Sequence, residues 1–335
     1  MLCRFARTFP PRLAARLGLS KGLRRRFREE TATEMLLMGL LALPNQGLRV
    51  DFSADEKSDG ADMDWETDWY FVSPNDPNGG SYVRLLIQAK VAMKQDGVAS
   101  PYWYYAHLDY DGGTQAQNLM NGAAAAPEAT LPLYMFFHPS AALAPANGKN
   151  KAVEGINLVP AADVHAVVTK GVTYKSGKTA KGCRREDKKV DRWRPLFFNL
   201  HDLFCWMPAG ILMPPPPPAD IISFALSGLD DGTISLGMPT WHPDFVAQRL
   251  NELMSFEQEA HPAYSAPGTD RRRLLETRPI PPNLRRAIDN EESEEELARL
   301  PRTRIILTSP INRRNPRFDE YASWNRRRRD TPDGD

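Results

Sequence analysis

The sequence is poor in the residues that build disulfide frameworks and zinc sites. Only Cys3, Cys183 and Cys205 occur among 335 residues. They show no CxxC spacing, and no pair of histidines lies near them. Neither a disulfide-stabilised fold nor a structural zinc site is therefore supported. Free cysteines suit a reducing compartment, so we expect the protein to be cytoplasmic.

Long apolar runs and targeting signals are also missing. No run approaches the roughly 20 apolar residues that span a bilayer, so we expect no membrane partner. The first 28 residues contain eight arginines and no acid, but they lack the apolar segment of a secretory signal and the serine enrichment of a transit peptide. A basic arm facing nucleic acid, or a solvated leader, is favoured. No internal repeat or recognised nucleic-acid-reading module is found, which leaves sequence specificity unassigned.

The chain does contain enough apolar material for a sizeable core, because 41% of its residues are hydrophobic. The formal net charge of +1 hides an uneven distribution of charge. Composition predicts a basic N-terminal arm over residues 1–26, an α/β domain over 27–260, and a charged, largely extended or disordered tail over 261–335. Within the domain we expect a basic insertion at 170–190 and a rigid proline-rich connector at 214–218.

Residues 60–91 are the most informative stretch, because they contain two strand-like runs joined by turn-forming residues. In the second run, apolar and mostly polar residues alternate with the period of two that is typical of a strand facing a core. The apolar row consists of Val83, Leu85, Ile87, Ala89 and Val91. Gln88 and Lys90 therefore share the opposite face of this strand.

The first run carries acidic residues with the same period. Asp62, Asp64 and Glu66 share one face, whereas the alternate positions are nearly all apolar. Residues 74–80 read PNDPNGG, which predicts a turn between the two strands. Pairing the strands would place the acidic row beside Gln88 and Lys90. The plainest alternative is an exposed strand with solvated Asp, Gln and Lys side chains.

These side chains suit the hydrolysis of a phosphodiester, which requires charge neutralisation and an activated water molecule. The carboxylates of Asp62 and Asp64 and the amide oxygen of Gln88 are hard oxygen ligands of the kind that Mg²⁺ or Mn²⁺ prefers. Lys90 would reach the same pocket, where it can position the attacking water and stabilise the charge that builds on the phosphate oxygens.

This arrangement resembles the PD-(D/E)xK nuclease superfamily, in which an Asp on one strand and an acid-x-Lys or Gln-x-Lys motif on the next surround a divalent metal. Gln88-Ala89-Lys90 is similar to the Asp/Gln-x-Lys variant of Mrr-type restriction endonuclease domains. The ordered segments EETATEMLL, Gly60-Ala61-Asp62, Gln88-Ala89-Lys90 and PLYMFF also resemble an uncharacterised bacterial family, which we group with restriction-endonuclease-like proteins. The resemblance covers roughly residues 28–138.

The resemblance implies a restriction-endonuclease-like α/β core and a glutamate on the first helix, Glu30 or Glu34, that points at the metal. For Glu34 a structural role is the alternative, because Thr31 and Glu34 have the spacing of a capping box. Asp62 and Asp64 are both candidates for the principal metal ligand. With Gln88 in place of an acid, metal binding should be weaker, so a catalytically inactive binding module on the same fold is the alternative to an active nuclease.

The rest of the chain predicts a mixed central sheet flanked by helices, with polar and basic extensions. A helix with one buried face is expected from Thr31 to Pro44 and a short strand at 48–52. Residues 114–126 predict a helix, and 133–137 predict a buried central strand. A further helix is expected around 245–254, and 304–307 is the one strand-like segment of the tail. Strands alternating with helices indicate an α/β fold.

Several basic residues are candidates for contact with phosphates, which makes DNA the expected partner and leaves RNA open. They are Arg24, Arg25, Arg26, Lys181, Arg184 and Arg185. A solvated insertion is the equal alternative for the last three. Tyr102 to Tyr105 could stack on bases, although packing against the sheet is favoured. His201 and Asp202 suggest a rival hydrolytic dyad, and the oligomeric state is left open, with a homodimer as one option.

Overall fold

A computed structural model describes the greater part of the chain. The described residues are 2–19, 28–43, 48–51, 65–72, 80–98, 101–144, 153–169, 172–173, 179–180, 182–204, 243–260, 274–298, 300 and 303–308. The proline-rich connector predicted at 214–218 and the turn at 74–79 lie outside these residues.

The described strands form a seven-stranded central sheet and two small hairpins. The strands are β1 Leu48–Asp51, β2 Trp65–Val72, β3 Gly80–Val91, β4 Met93–Gln95, β5 Tyr102–Tyr104, β6 Thr130–Phe137, β7 Ile156–Pro160, β8 Val172–Thr173, β9 Thr179–Ala180, β10 Phe198–Asn199 and β11 Thr303–Thr308. The central sheet has the order β1-β11-β2-β3-β6-β7-β10, while β4 pairs with β5 and β8 pairs with β9. Parallel and antiparallel pairs both occur, so the predicted mixed sheet is confirmed.

Helices cover both faces of this sheet. They are α1 Leu2–Leu19, α2 Glu29–Leu41, α3 Thr114–Ala123, α4 Ala161–Val168, α5 Val190–Trp193, α6 Leu200–Phe204, α7 Pro243–Ala260, α8 Pro282–Ile288 and α9 Glu294–Ala298. The apolar row of β3 packs in one core cluster with α1, α2, α6 and α7. Leu86 of β3 and Tyr134 and Phe136 of β6 pack in a second cluster with α3, α4 and α5. The predicted α/β class, the strand at 133–137 and the helix around 245–254 are therefore confirmed.

The N-terminal segment is part of the domain rather than a separate arm. Leu2, Phe5, Leu13 and Leu17 of α1 are buried in the first core cluster, and the arginines of this helix are exposed. The backbone of α1 also lies against the loop before β7, where an added Cβ at Gly155 would come within 2.0 Å of the carbonyl oxygen of Pro10. The prediction of a basic arm over 1–26 is thus wrong as far as residue 19, because its arginines occupy only one face of an amphipathic helix.

The predicted tail also contributes to the core. Strand β11 lies between β1 and β2, antiparallel to the first and parallel to the second. Arg304 on this strand is buried and binds the carboxylates of Asp51 and Glu292, with N–O distances of 2.8 and 2.6 Å. The boundary predicted at residue 260 is therefore wrong, whereas the strand-like character of 304–307 is confirmed. Residues 261–273, 299, 301–302 and those from 309 onwards lie outside the described part of the chain.

Candidate functional site

The pairing of β2 with β3 places the described acids of the first strand on the same face as Gln88 and Lys90, but opposite other residues of the second strand. Glu66 is opposite Leu86, and Asp68 is opposite Arg84. Even-numbered residues of the two strands therefore share one face, which is also the face of Gln88 and Lys90. Asp62 and Asp64, the principal ligands expected from the sequence, lie outside the described residues.

Lys90 is the most unusual residue of this face, because its side chain is almost entirely removed from water. Only 1% of the residue is exposed. Its ammonium nitrogen lies 3.1 Å from a carboxylate oxygen of Glu29, whose side chain is 26% exposed. Burying a charge is costly unless the charge is paired, and lysine is rarely buried without a partner. The alternative of a solvated strand lysine is therefore wrong.

The helical glutamate that reaches Lys90 is Glu29, and neither Glu30 nor Glu34 does so. Helix α2 begins at Glu29, after Arg28, which makes no side-chain capping bond. Thr31 therefore lies inside the helix, and the capping box expected from Thr31 and Glu34 does not form at the helix start. Glu30 and Glu34 are both exposed. The capping interpretation of Glu34 is thus wrong, and the glutamate of α2 that meets β3 is Glu29.

Gln88 lies two residues before Lys90 on the same face and is 2% exposed. Its amide nitrogen donates to the carbonyl oxygen of Ala89 at 3.4 Å. Tyr134 is its neighbour in the adjacent strand β6. The amide oxygen of Gln88 and the carboxylate of Glu29 are both hard donors of the type that Mg²⁺ accepts. Among the residues that the structure describes, no group of three His, Cys, Asp or Glu side chains could hold a metal ion.

The acids farther along β2 are committed to an ion pair and not to the Lys90 end of the face. Asp68 is fully buried and binds Arg84 through two N–H···O bonds of 2.7 and 3.0 Å. Burial raises the pKa of Asp68 to about 6, against the lowering influence of Arg84. Glu66 lies 3.9 Å from the same guanidinium group. Asp68 is therefore a partner of Arg84 and not a candidate metal ligand.

A buried histidine that the sequence analysis missed lies next to the Lys90 end of the sheet. His138 follows β6, and its Nε2 atom lies 2.6 Å from the hydroxyl of Tyr105. Its Nδ1 atom lies 3.0 Å from the carbonyl oxygen of Glu154. Burial lowers the pKa of His138 to about 3, so this ring is neutral at pH 7. Its position directly after a continuous apolar strand was the available sequence signal.

His201 and Asp202 do approach each other, although neighbours in a regular helix would not. The Nε2 atom of His201 lies 3.4 Å from Asp202, and its Nδ1 atom lies 3.1 Å from Glu154. The other carboxylate oxygen of Asp202 accepts a bond from the backbone N–H of Asn199 at 2.8 Å. Both ring nitrogens thus face carboxylates, which is the arrangement of a held imidazole and not of a base beside a nucleophile.

Two of the predicted phosphate-binding residues can be placed. Arg184 and Arg185 are exposed, and the Nε atom of Arg185 contacts the hydroxyl of Tyr102. Arg24, Arg25, Arg26 and Lys181 lie outside the described residues. The structure therefore brings Glu29, Gln88 and Lys90 together at one end of β3, and it places Arg184 and Arg185 beside the hairpin that follows.

Comparison with known proteins identifies the family without adding an activity. Within the described residues, no helix combines the length and apolar character needed to cross a bilayer. No curated protein matches the chain, and no solved structure matches it. A family model does match residues 2–312, which is most of the chain, and the protein therefore belongs to that family, described as a family of unknown function (DUF6615).

Proposed function

We propose that the protein is a metal-dependent nuclease that hydrolyses phosphodiester bonds in DNA. The observation that carries this proposal is the buried Lys90, which shares a strand face with Gln88 and meets the carboxylate of Glu29. Strongly buried, paired charges in a polar setting are characteristic of functional sites, although structural ion pairs share this property. The restriction-endonuclease-like character of the core belongs to the same proposal and is supported by the order of the sequence motifs.

Lys90 and Glu29 have distinct roles in this proposal. An ammonium group has three N–H donors, and the described contact with Glu29 uses one of them. Glu29 therefore holds the charge of Lys90 in place, while the other donors bind the attacking water or an oxygen of the scissile phosphate. Such a preorganised donor costs no reorganisation when charge develops in the transition state.

The metal is the second part of the proposal, with Mg²⁺ or Mn²⁺ as the cofactor. Asp62, Asp64 and Gln88 would hold it, the first two by resemblance to the nuclease superfamily and the third with its amide oxygen. When bound, such an ion neutralises charge on the phosphate and makes water nucleophilic near neutral pH. A cytoplasmic location is consistent with the small number of cysteines in the sequence and is proposed on that ground.

The test is a cleavage assay with purified protein on plasmid, linear and single-stranded DNA and on RNA, with Mg²⁺ or Mn²⁺ and an EDTA control. We expect cleavage of DNA that EDTA abolishes. Binding without cleavage under every metal condition would refute the nuclease and favour an inactive binding module. Cleavage that survives EDTA and is unchanged by substitution of Lys90 would favour a hydrolase that uses His201 and Asp202.

A further inference from the structure

The hairpin that follows the Lys90 strand presents aromatic rings at the protein surface. Strands β4 and β5 pair directly after β3, with Lys94 opposite Trp103. Trp103 packs against the second core cluster. Tyr102 and Tyr104 are partly exposed, and their ring centres lie 5.8 Å apart in an edge-to-face arrangement. All three rings are therefore partly exposed, and the tryptophan also anchors the hairpin to the core.

The basic insertion of the sequence lies against these rings. The backbones of Tyr104 and Lys189 form an isolated antiparallel β-bridge. The backbone N–H of Tyr105 donates to the carbonyl oxygen of Lys188 at 2.9 Å. The guanidinium carbon of Arg185 lies 4.9 Å from the ring centre of Tyr102, and the ammonium of Lys189 lies 4.7 Å from it. Residues 182–194, which the structure describes, contain six lysines and arginines but three acids, so this part of the segment brings positive charge to an aromatic surface.

The charges of this segment are not equally available to a ligand. Lys188 pairs with Asp109 at 2.5 Å, and Lys189 pairs with Glu186 at 2.6 Å. Within the described part of the chain, Arg184 and Arg185 form no salt bridge, and both are exposed. We call Tyr102, Tyr104, Arg184 and Arg185 the aromatic-basic surface.

This surface lies near the same end of the sheet as Lys90. Lys90 is the neighbour of Phe136 across β3 and β6. The ring of Phe136 lies 4.4 Å from that of Tyr105, which directly follows Tyr104 in the chain. The aromatic-basic surface therefore lies close to the end of β3 that carries Gln88 and Lys90.

We infer that the aromatic-basic surface binds single-stranded nucleic acid, with bases stacked on the tyrosines and phosphates held by the arginines. Exposed rings can stack only on bases that are not already stacked within a duplex, and guanidinium groups add cation–aromatic attraction. This inference rests on the proposed nuclease function, because it names the form of nucleic acid that the nuclease would take as its substrate. Binding itself does not depend on turnover.

The experiment measures the fluorescence anisotropy of labelled oligonucleotides in EDTA, so that no metal-dependent cleavage occurs. The probes are an oligo-dT and an oligo-rU of about 20 nucleotides, longer than a typical single-stranded binding site, and a duplex of the same length. We expect the wild-type protein to bind at least one single strand more tightly than the duplex. Tyr102→Leu should weaken that binding by about tenfold, whereas Tyr102→Phe, which keeps the ring, should retain it.

Arg185→Ala should weaken binding and reduce the slope of log K against log salt by about 0.7, as expected for one lost phosphate contact on a single strand. Arg278→Ala is the matched control. The side chain of Arg278 is 46% exposed, but its backbone forms a β-bridge with Tyr82 near the other end of β3, away from the aromatic-basic surface. This control should bind as the wild type does. Thermal melting of each variant establishes that it is folded.

The inference is overturned if folded Tyr102→Leu and Arg185→Ala variants bind single strands as the wild type does, or if the duplex binds more tightly than both strands. It is also overturned if a polyglutamate peptide displaces the oligonucleotide as well as unlabelled dT does, since the surface would then be a general site for polyanions or acidic proteins. A Lys90 variant that loses cleavage but binds the oligonucleotide as the wild type does would support both proposals. If the wild-type protein binds single strands but cleaves nothing, the nuclease proposal fails and the binding proposal is retained.

Discussion

Replacing Lys90 separates folding from chemistry only if the new side chain fills the same space. Lys90→Ala would remove about three buried methylene groups, at about 0.8 kcal/mol each, and leave Glu29 without its partner. Breaking a buried pair costs up to about 3–5 kcal/mol, but Glu29 is 26% exposed, so water offsets part of that loss. On a solvated face, which was the alternative that the sequence left open, alanine would cost within about half a kcal/mol.

Lys90→Met is therefore the sharper substitution. Methionine has a similar length and no charge, so it keeps the buried packing and loses only the pair with Glu29, which we expect to cost less than about 3–5 kcal/mol in the free energy of unfolding. If the ammonium group stabilises the transition state, turnover should still fall by on the order of a hundredfold or more. Urea denaturation gives the first quantity, and single-turnover cleavage at saturating Mg²⁺ gives the second.

Glu29→Gln completes this prediction, because it leaves the buried ammonium without a countercharge. Glu30→Gln is its matched control, since Glu30 is the next residue of α2 and is exposed. We expect Glu29→Gln to lower both stability and turnover and Glu30→Gln to change neither. A folded Lys90→Met protein that cleaves at the wild-type rate would refute the proposed role of Lys90.

Three further predictions concern the fold. Because the pKa of Asp68 is raised from 3.8 to about 6, the folded protein holds this proton more tightly, and unfolding free energy should fall as pH rises from about 4 to 6; urea titrations of Asp68→Asn should lack that slope. Leu13→Ala, in the buried row of α1, should cost about 2–5 kcal/mol, whereas its exposed neighbour Arg12→Gln should leave the melting temperature unchanged, and equal melting of the two would contradict the packing of α1. Arg304→Ala should destabilise the protein by up to about 3–5 kcal/mol, while Arg285→Ala, which removes a partly exposed pair with Asp289 at the end of α8, should cost under about 1 kcal/mol; similar losses in chemical denaturation would rule out a structural role for the ion pairs of β11.

The parts of the fold that could be predicted from the sequence are those encoded by local periodicity. The alternation along 83–91 gave the face of Lys90, and the register of β2 with β3 confirms that Glu66 shares that face. The helix at 29–41 and the central strand at 130–137 also follow from spacing and apolar content. These patterns repeat within a few residues, so a single chain segment is enough to reveal them.

What could not be predicted depends on contacts between distant segments. The capping-box spacing favoured Thr31 as the helix start with Glu34 as its capping partner, but the contact of Glu29 with Lys90, 61 residues away, reflects the position of α2 on the sheet. Arginine content suggested an arm at 1–26, because composition does not show that the apolar residues of α1 lie on one face. The place of β11 between β1 and β2 left no local signal beyond a short apolar run.

The position of β11 has a consequence for how the protein folds. Beside this part of the sheet, the guanidinium group of Arg49 donates to the carbonyl oxygen of Ala287 at 2.8 Å, and these two residues are 238 residues apart in sequence. Until β11 emerges from the ribosome, β1 and the outer edge of β2 lack the strand that joins them, although β2 and β3 can already pair. Such long-range pairing slows folding and leaves strand edges open to other chains. We therefore expect the nascent chain to pass through a stage in which the five strands from β2 to β10 can pair while β1 and the outer edge of β2 remain open to aggregation.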